Sequence, residues 1–431
     1  MKTYKERLHE VIPGGAHTYS RGDDQFPINA PAILERGEGA YVYDLDGNKY
    51  LDYGMGLRSV NIGYANKEIA DACYAEILKG NNLTRASLTE LEAAELLVEL
   101  IPAVDMVKFA KHGSTVTSAA MKLARAYTGR KYIAVPFEQP FFSFDDWFIG
   151  STVMNKGVPE EIKPLTLKFH YNDIESLKQL FDQYPNQIAA VMMEAVTTVE
   201  PISNFLQDVQ SLCRANQTVF IIDEMISGFR WHLQGAHTYF NLEPDLCTFG
   251  KAMANGFAVA ALGGKREIMQ LGSILNEGQE RVFLTSTTHG AEMSGLGAFI
   301  KTMEILKRDN VVAHFWSYGK KLMDGMNEIS TKLDINKQFY VEGYPCSPSY
   351  ITKNNDGEIS LPLRTLFAQE MIKMGIMMPY IAISYAHQEN ELALTLTAVE
   401  QALIVYKKAL QGNIADYLNS TVIKPVFRQF N

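Results

Sequence analysis

Three stretches of the chain carry residues whose types and neighbours suit one kind of chemistry. Lys251 stands in CTFGKAMANG, after a short apolar run and between Gly250 and Gly256. A lysine between strand and turn can be held in a dry site with a lowered pKa, as a Schiff-base nucleophile requires. Asp223 ends the apolar run TVFIID. A carboxylate at the C-terminal end of such a strand points into the crevice where open α/β sheets bind ligands. Its burial is costly without a cationic partner, and a protonated pyridine nitrogen would be one. The third stretch, Lys111-His112-Gly113-Ser114-Thr115, joins a strand to a helix. Small residues with free amide N–H groups at a helix N-terminus make an anion site. Each stretch also has a plainer reading: a snorkelling surface lysine, an aspartate paired with a nearby Lys or Arg, a βα turn with an N-cap serine.

Other chemistries find less support. Asp44-x-Asp46-x-Asn48 imitates the start of a calcium loop, but Lys49 holds the glycine position and Met55 the closing glutamate position, so a hairpin turn is the better reading. Gly54-x-Gly56 is not extended to G-x-G-x-x-G, and neither a phosphate-binding P-loop nor a G-x-S-x-G elbow occurs. The nine histidines form no metal-ligand pattern, and the four cysteines, Cys73, Cys213, Cys247 and Cys346, form no C-x-x-C pair, so no metal is expected. A net charge of −9 argues against a broad nucleic-acid surface. No apolar run approaches the roughly 18 residues of a membrane span. The start, MKTYKERLHEVIPGG, lacks the apolar core of a signal peptide, and the expected location is cytoplasmic.

The elements that must position these residues are legible in outline. A short helix over 4–11 stops at Pro13-Gly14-Gly15, and two β-rich runs flank Asp46-Gly47 as a hairpin. Ser87 and Glu90 signal the start of a helix ending at Pro102. Strand 107–110 leads to a helix closed by Gly129, and strand KYIAVP follows. Asn172 and Glu175 open another helix, with Ile174, Leu177, Leu180 and Phe181 on one face. Strand 188–194, a helix near 205–215, strand 218–224, DLCTFG and AVAALGG continue the alternation, and a long helix spans about 291–307. Continuous apolar strands between helices imply a mostly parallel sheet covered on both faces. From about 325 the pattern turns α+β, with strands QFYVEG and SPSYITK and helices over LRTLFAQEMIKMG and about 390–410. The reading is a large α/β domain over 58–324, a smaller α+β domain over 325–431, and an N-terminal segment, 1–57, packed with the small one.

IIDEMISGFR (221–230), PDLCTFGKAMANG (244–256) and GGKREIM (263–269) resemble the class III (subgroup II) aminotransferases, which use pyridoxal 5′-phosphate. Within that class the chain resembles the glutamate-1-semialdehyde 2,1-aminomutase-like branch. IPGG (12–15), YVYDLDGNKYLDY (41–53) and LARAYTGRKYI (123–133) match the same group, and the similarity runs from about residue 8 to 410. The resemblance implies a fold type I enzyme with shared active sites in a homodimer. Lys251 would hold the cofactor and move the proton between substrate and cofactor; Asp223 would keep the pyridine nitrogen protonated. Phe141 would stack on one ring face, Met225 would pack on the other, and Glu194 would lie near the ring. Gly113, Ser114 and Thr115 would hold the phosphate, and Thr287, in FLTSTTHG, would reach it from the other subunit.

The chain also departs from the branch. The usual S-G-T-E or N-G-S-D loop reads His112-Gly113-Ser114-Thr115, and Tyr-His-Gly-His becomes Phe141-Phe142-Ser143-Phe144, which removes a phenol and two imidazoles. The aminomutase segment Q-F-E-A-G-F has no counterpart around 379–384, and the tryptophan expected near the substrate entrance is replaced around Leu57-Arg58. HTYSRGDDQFP and DDWFIGSTVMNKGVP instead resemble aminotransferases associated with saccharide biosynthesis. Arg21 matches an arginine that binds substrate carboxylate; Arg58 could serve an acidic group; His17, Tyr19 and His289 are further pocket candidates. The expectation is ping-pong transfer of an amino group from a donor such as glutamate to a small keto or aldehyde acceptor, a sugar among the candidates. An intramolecular 1,2-aminomutase is the alternative, and a catalytically silent binding protein of the same fold is the second.

Overall fold

The computed structural model describes residues 2–430. The chain divides into two compact units: residues up to Asn66 with Ala313–Val426, and Lys67–Val312 with the chain from Phe427 onward.

The second unit is built on a seven-stranded sheet. Its order is Met106–Ala110, Ala260–Gly264, Leu246–Phe249, Val219–Asp223, Ile188–Met193, Tyr132–Pro136, Thr166–Phe169. The five strands from Leu246–Phe249 to Thr166–Phe169 pair in parallel. Ala260–Gly264 runs antiparallel to both its neighbours. Every residue of Ile188–Met193 and Val219–Asp223 is buried, as strands covered on both faces must be. Helices Gly113–Thr128, Ile174–Gln183 and Phe205–Ala215 lie along the connections, and Gly129, in the left-handed region at φ 68°, closes the first. Ser87 caps Leu88–Leu100 by accepting from the Glu90 amide. The cap of Ile174–Gln183 is Asp173 rather than Asn172. Asn172 takes a left-handed φ of 67° and ties down the loop before Phe205, donating to Glu200 O at 2.9 Å and accepting from the Ile202 amide at 2.9 Å.

In the first unit, Tyr41–Asp44 and Lys49–Asp52 form the expected hairpin. Asp44 Oδ1 accepts from the Asp46 and Asn48 amides, so the D-x-D-x-N spacing serves the turn. Leu34–Glu38 pairs antiparallel with the first strand, and Ile376–Met377 pairs in parallel with the second, which makes one sheet from both ends of the chain. The boundaries fall at 66/67 and 312/313, not at 57/58 and 324/325. The second shift has a visible cause. Residue 324 lies inside the 22-residue helix Val311–Lys332, whose Phe315, Tyr318, Leu322 and Met326 recur at helical spacing and are buried together. Tyr318 also hydrogen-bonds Tyr53 at 2.7 Å, so the helix belongs with the N-terminal segment. No helix among the described residues is long and apolar enough to cross a membrane.

Candidate active site

Strands Val219–Asp223 and Leu246–Phe249 are parallel neighbours whose register sets Asp223 beside Thr248. Asp223 is 2% exposed. Its Oδ1 accepts the Met225 amide at 3.0 Å and the Thr248 hydroxyl at 2.9 Å. Burial pushes its carboxyl up to about 6; the Lys251 charge and the two hydrogen bonds pull the other way. Near neutral pH the group is therefore a carboxylate held in a dry interior, where a cation is worth most.

Lys251 follows directly from the same strand edge. Gly250 is fully extended, and Lys251 then takes φ 42°, a left-handed conformation that costs a non-glycine residue about 1–3 kcal/mol. The short turn Lys251–Ala254 is fixed by the burial of Ala252, Met253 and Ala254. Met225 ties this turn to the helix start. A Cβ at Gly113 would lie 2.9 Å from Met225 Sδ, and one at Gly250 would lie 2.6 Å from it. Only glycine at both positions leaves room for the sulfur, so Gly113, Met225 and Gly250 form one packed knot.

The residue preceding helix Gly113–Thr128 is His112, not a serine, and no side chain caps the helix. The amides of the first turn are thus left for an anion. Ser114 is buried and its Oγ accepts from the Phe144 amide at 3.1 Å; Thr115 Oγ1 lies 3.1 Å from His112 Nδ1. Lys111 is engaged elsewhere, in an ion pair with Glu292. Partial burial works to raise the Glu292 carboxyl, but hydrogen bonds from Lys111 and Ser294 and the Lys111 charge hold it down at about 2.

Beside the floor runs an aromatic wall. Phe142 and Ser143 are buried, whereas Phe141 and Phe144 are 48% and 59% exposed. Phe141 meets Phe148 edge to face, with centroids 6.1 Å apart. Glu194 follows strand Ile188–Met193 and is 5% exposed. Its peptide is clamped by buried Gln139, which accepts from the Glu194 amide and donates to its carbonyl, each at 2.8 Å. Thr287 lies exposed on the segment before helix Met293–Arg308, where its carbonyl accepts from the Gly290 amide.

Four contributors escaped the sequence reading: Thr248, Gln139, Glu224 and His237. Glu224, 1% exposed, accepts from the His237 amide and Nδ1 at 2.8 Å each, from the Ala236 amide at 3.0 Å and from Ser227 Oγ at 2.5 Å. Burial works to raise its carboxyl, but His237 and the other donors outweigh that and hold it below the usual range. The loop after Asp223 is thereby pinned at both ends. A glutamine inside the aromatic run 137–144 was a visible signal; the partners of Glu224 were not.

Arg21 and Arg58 belong to the other compact unit. Arg58 donates to Ser347 Oγ and Ile381 O, each at 3.1 Å, and lies over the Tyr380 ring at 4.7 Å. Those contacts fix the position of its guanidinium. Arg21, exposed at the end of turn Tyr19–Arg21, lines a cavity of about 640 Å³ with Phe26, Leu57, Tyr64 and Tyr380. His17 and Tyr19 are exposed in the same segment, and exposed His289, in the unit that holds Lys251, lies 3.3 Å from Asn82 Nδ2.

Residues 19–379 match the family model for aminotransferase class-III. The 3-aminobutyryl-CoA aminotransferase of Cloacimonas acidaminovorans (strain Evry) is 32% identical, over 94% of this chain and 97% of that protein. A glutamate-1-semialdehyde 2,1-aminomutase of Francisella philomiragia is 30% identical, over 95% and 97%. Among solved structures, the FumI protein of Sphingopyxis sp. MTA144 superposes with a TM-score of 0.85 at 25% identity, covering 97% of this chain and 98% of that one.

Proposed function

The chain belongs to the class-III aminotransferases, fold type I enzymes that work with pyridoxal 5′-phosphate, and from that premise we propose that it moves an amino group from an amino-acid donor such as glutamate to a small keto or aldehyde acceptor in two half-reactions. The observation that carries the reading is the buried Asp223 carboxylate, within electrostatic reach of Lys251. The residues fit the cofactor chemically. An acid kept in the dry suits a protonated ring nitrogen, an uncapped helix start suits a phosphate, and a strained lysine turn suits a fixed amine.

When bound, the cofactor supplies an aldehyde that takes up the donor's nitrogen and a ring that accepts the electrons left as the donor's Cα proton departs. The chain does the rest. Lys251 Nζ would hold the cofactor through its aldehyde and would serve as the base that takes the proton from the donor Cα. Asp223 holds the proton on the ring nitrogen. The amides of Gly113, Ser114 and Thr115 hold the phosphate. Phe141 and Met225 would pack against the ring, and Glu194 would lie near it. In a homodimer with shared sites, Thr287 would reach the phosphate held by the other subunit. Arg21 and Arg58 are the candidates for an acidic group on the substrate. Four buried free thiols suit the reducing cytoplasm.

The apolar wall at 141–144 favours acceptors other than the aminomutase substrate, with keto sugars to be screened first. The test is a donor and acceptor screen on purified enzyme. Glutamate alone should bleach the cofactor's visible band, and the right carbonyl compound should restore it. Efficient cycling by glutamate-1-semialdehyde or 4,5-diaminovalerate alone would replace transfer between two substrates with an intramolecular 1,2-shift. No visible band, or one that survives Lys251→Ala, would sink the reading altogether.

A further inference from the structure

We propose that the C-terminal end of the chain takes part in the active site, with Phe427 as a positioning residue that backs the Phe141 ring. The inference rests on the cofactor reading above.

After helix Glu389–Gln411 the described chain continues to residue 430 with one short turn, Ile414–Asp416. A run with so little regular structure has few backbone bonds of its own to hold it. Here it is fastened at five residues between 417 and 424. Tyr417 O accepts from Gln369 Nε2 at 3.0 Å, and the Asn419 amide donates to Gln369 Oε1 at 2.8 Å. Ser420 Oγ accepts from the Ile28 amide at 2.9 Å, and the Ile423 amide donates to Thr365 Oγ1 at 3.0 Å. Lys424 donates its amide to Asp24 O at 3.0 Å and accepts from Gln25 Nε2 at 2.9 Å. Pro425 then restricts the backbone. From Phe427 onward the chain belongs to the compact unit that holds Lys251.

Phe427 is half-buried there, and its ring centroid lies 6.5 Å from that of Phe141, tilted by 41°. Phe141 is therefore gripped by two rings, Phe148 at 80° and Phe427, while 48% of it stays exposed for another planar group. Ring pairs at this spacing change an equilibrium constant by about two- to tenfold. The sequence explains the need. Phe141 stands where the related enzymes have a tyrosine, and without a hydroxyl the ring has only packing to fix its tilt. Phe430, three residues on, is 80% exposed and provides the internal control.

The experiment compares Phe427→Ala, Phe427→Tyr and Phe430→Ala with the parent enzyme. The readouts are the dissociation constant of pyridoxal phosphate from the apoenzyme, the visible circular dichroism of the bound cofactor, and the KM and kcat of the donor half-reaction. Phe427→Ala should weaken cofactor binding about three- to tenfold and reduce the dichroism, with a melting temperature within about 2 °C of the parent. Phe427→Tyr should restore both signals to within about twofold, and Phe430→Ala should match the parent. Should Phe427→Ala not fold, Phe427→Leu carries the same expectation, since it keeps bulk without the ring. Equal cofactor affinity and dichroism in the Phe427 and Phe430 variants would overturn the proposal while leaving the cofactor reading intact. A parent enzyme with no Lys251-dependent visible band would overturn both.

Discussion

The floor of the candidate site and its aromatic wall are built to different tolerances. On the floor, Asp223, Glu224, Ser227 and Thr248 are each no more than 2% exposed, and their side chains bond one another, backbone amides and His237. Along the wall, Phe141 and Phe144 stand about half in solvent, with rings for neighbours. A hydrogen-bonded floor has few substitutions that leave every buried group paired. An apolar, half-exposed wall has many. The comparison explains why this chain keeps the acid and the lysine of its class while replacing a phenol and two imidazoles at 141–144. On the proposed function, chemistry resides where substitution is expensive, and choice of substrate where it is cheap.

The contrast can be broken in graded steps. Lys251→Ala should lower amino transfer by about a thousandfold or more, because the group proposed to carry the proton is gone; single-turnover kinetics with glutamate measures it. Glu224→Ala, on the floor but outside the proposed chemistry, should cost about 3–5 kcal/mol, since it strands buried His237 and two amides; urea unfolding reads this, and a loss below about 1 kcal/mol would mean the floor has slack. Gly250→Ala should cost about 1–3 kcal/mol by driving a methyl into Met225 Sδ, and Met225→Ala in the same background should recover part of it, as a double-mutant cycle will show.

The fourth step uses pH. The Asp223 carboxyl is raised to about 6 in the folded chain, against an ordinary value near 4. Between those values the folded state binds more protons than the unfolded one, so stability falls as pH rises through about 4 to 6. Apoenzyme carrying Asp223→Asn should lack that decline, gaining about 1–3 kcal/mol on the parent between pH 4 and pH 7; parallel stability profiles would show that the carboxylate is better solvated than its burial implies. The smallest effect belongs to the wall. Phe144→Ala should shift stability by no more than about 0.5 kcal/mol and instead change the acceptor KM, and a large stability loss would erase the distinction between wall and floor.

Much of this could be read from the sequence, for reasons specific to particular residues. Apolar runs announced strands Ile188–Met193 and Val219–Asp223, and the polar residue ending the second run announced Asp223. The direction of a strand leaves no such mark, so Ala260–Gly264 gave no sign that it runs against its neighbours. Leu34–Glu38 is mostly exposed and without alternation, and it is a strand because Tyr41–Asp44 offers it a partner. Asn172 carries the cap signal yet serves a loop, because Asp173 beside it takes the cap. Thr248, Gln139 and His237 act through residues 25, 55 and 13 positions away, and such pairings exist only once the sheet has formed.

The reversed strand also bears on how the site comes into being. Because Ala260–Gly264 turns back on Leu246–Phe249, pairing Ala261 with Phe249, the lysine occupies the bend of a local hairpin rather than the mouth of a long crossover. Closing so short a loop sacrifices little chain entropy, whereas joining Asp223 to Thr248 in parallel register needs a longer excursion. During refolding the Lys251 bend should therefore gain amide protection before the Asp223 carboxylate finds its neighbour, so that one half of the proposed pair waits, already shaped, for the other.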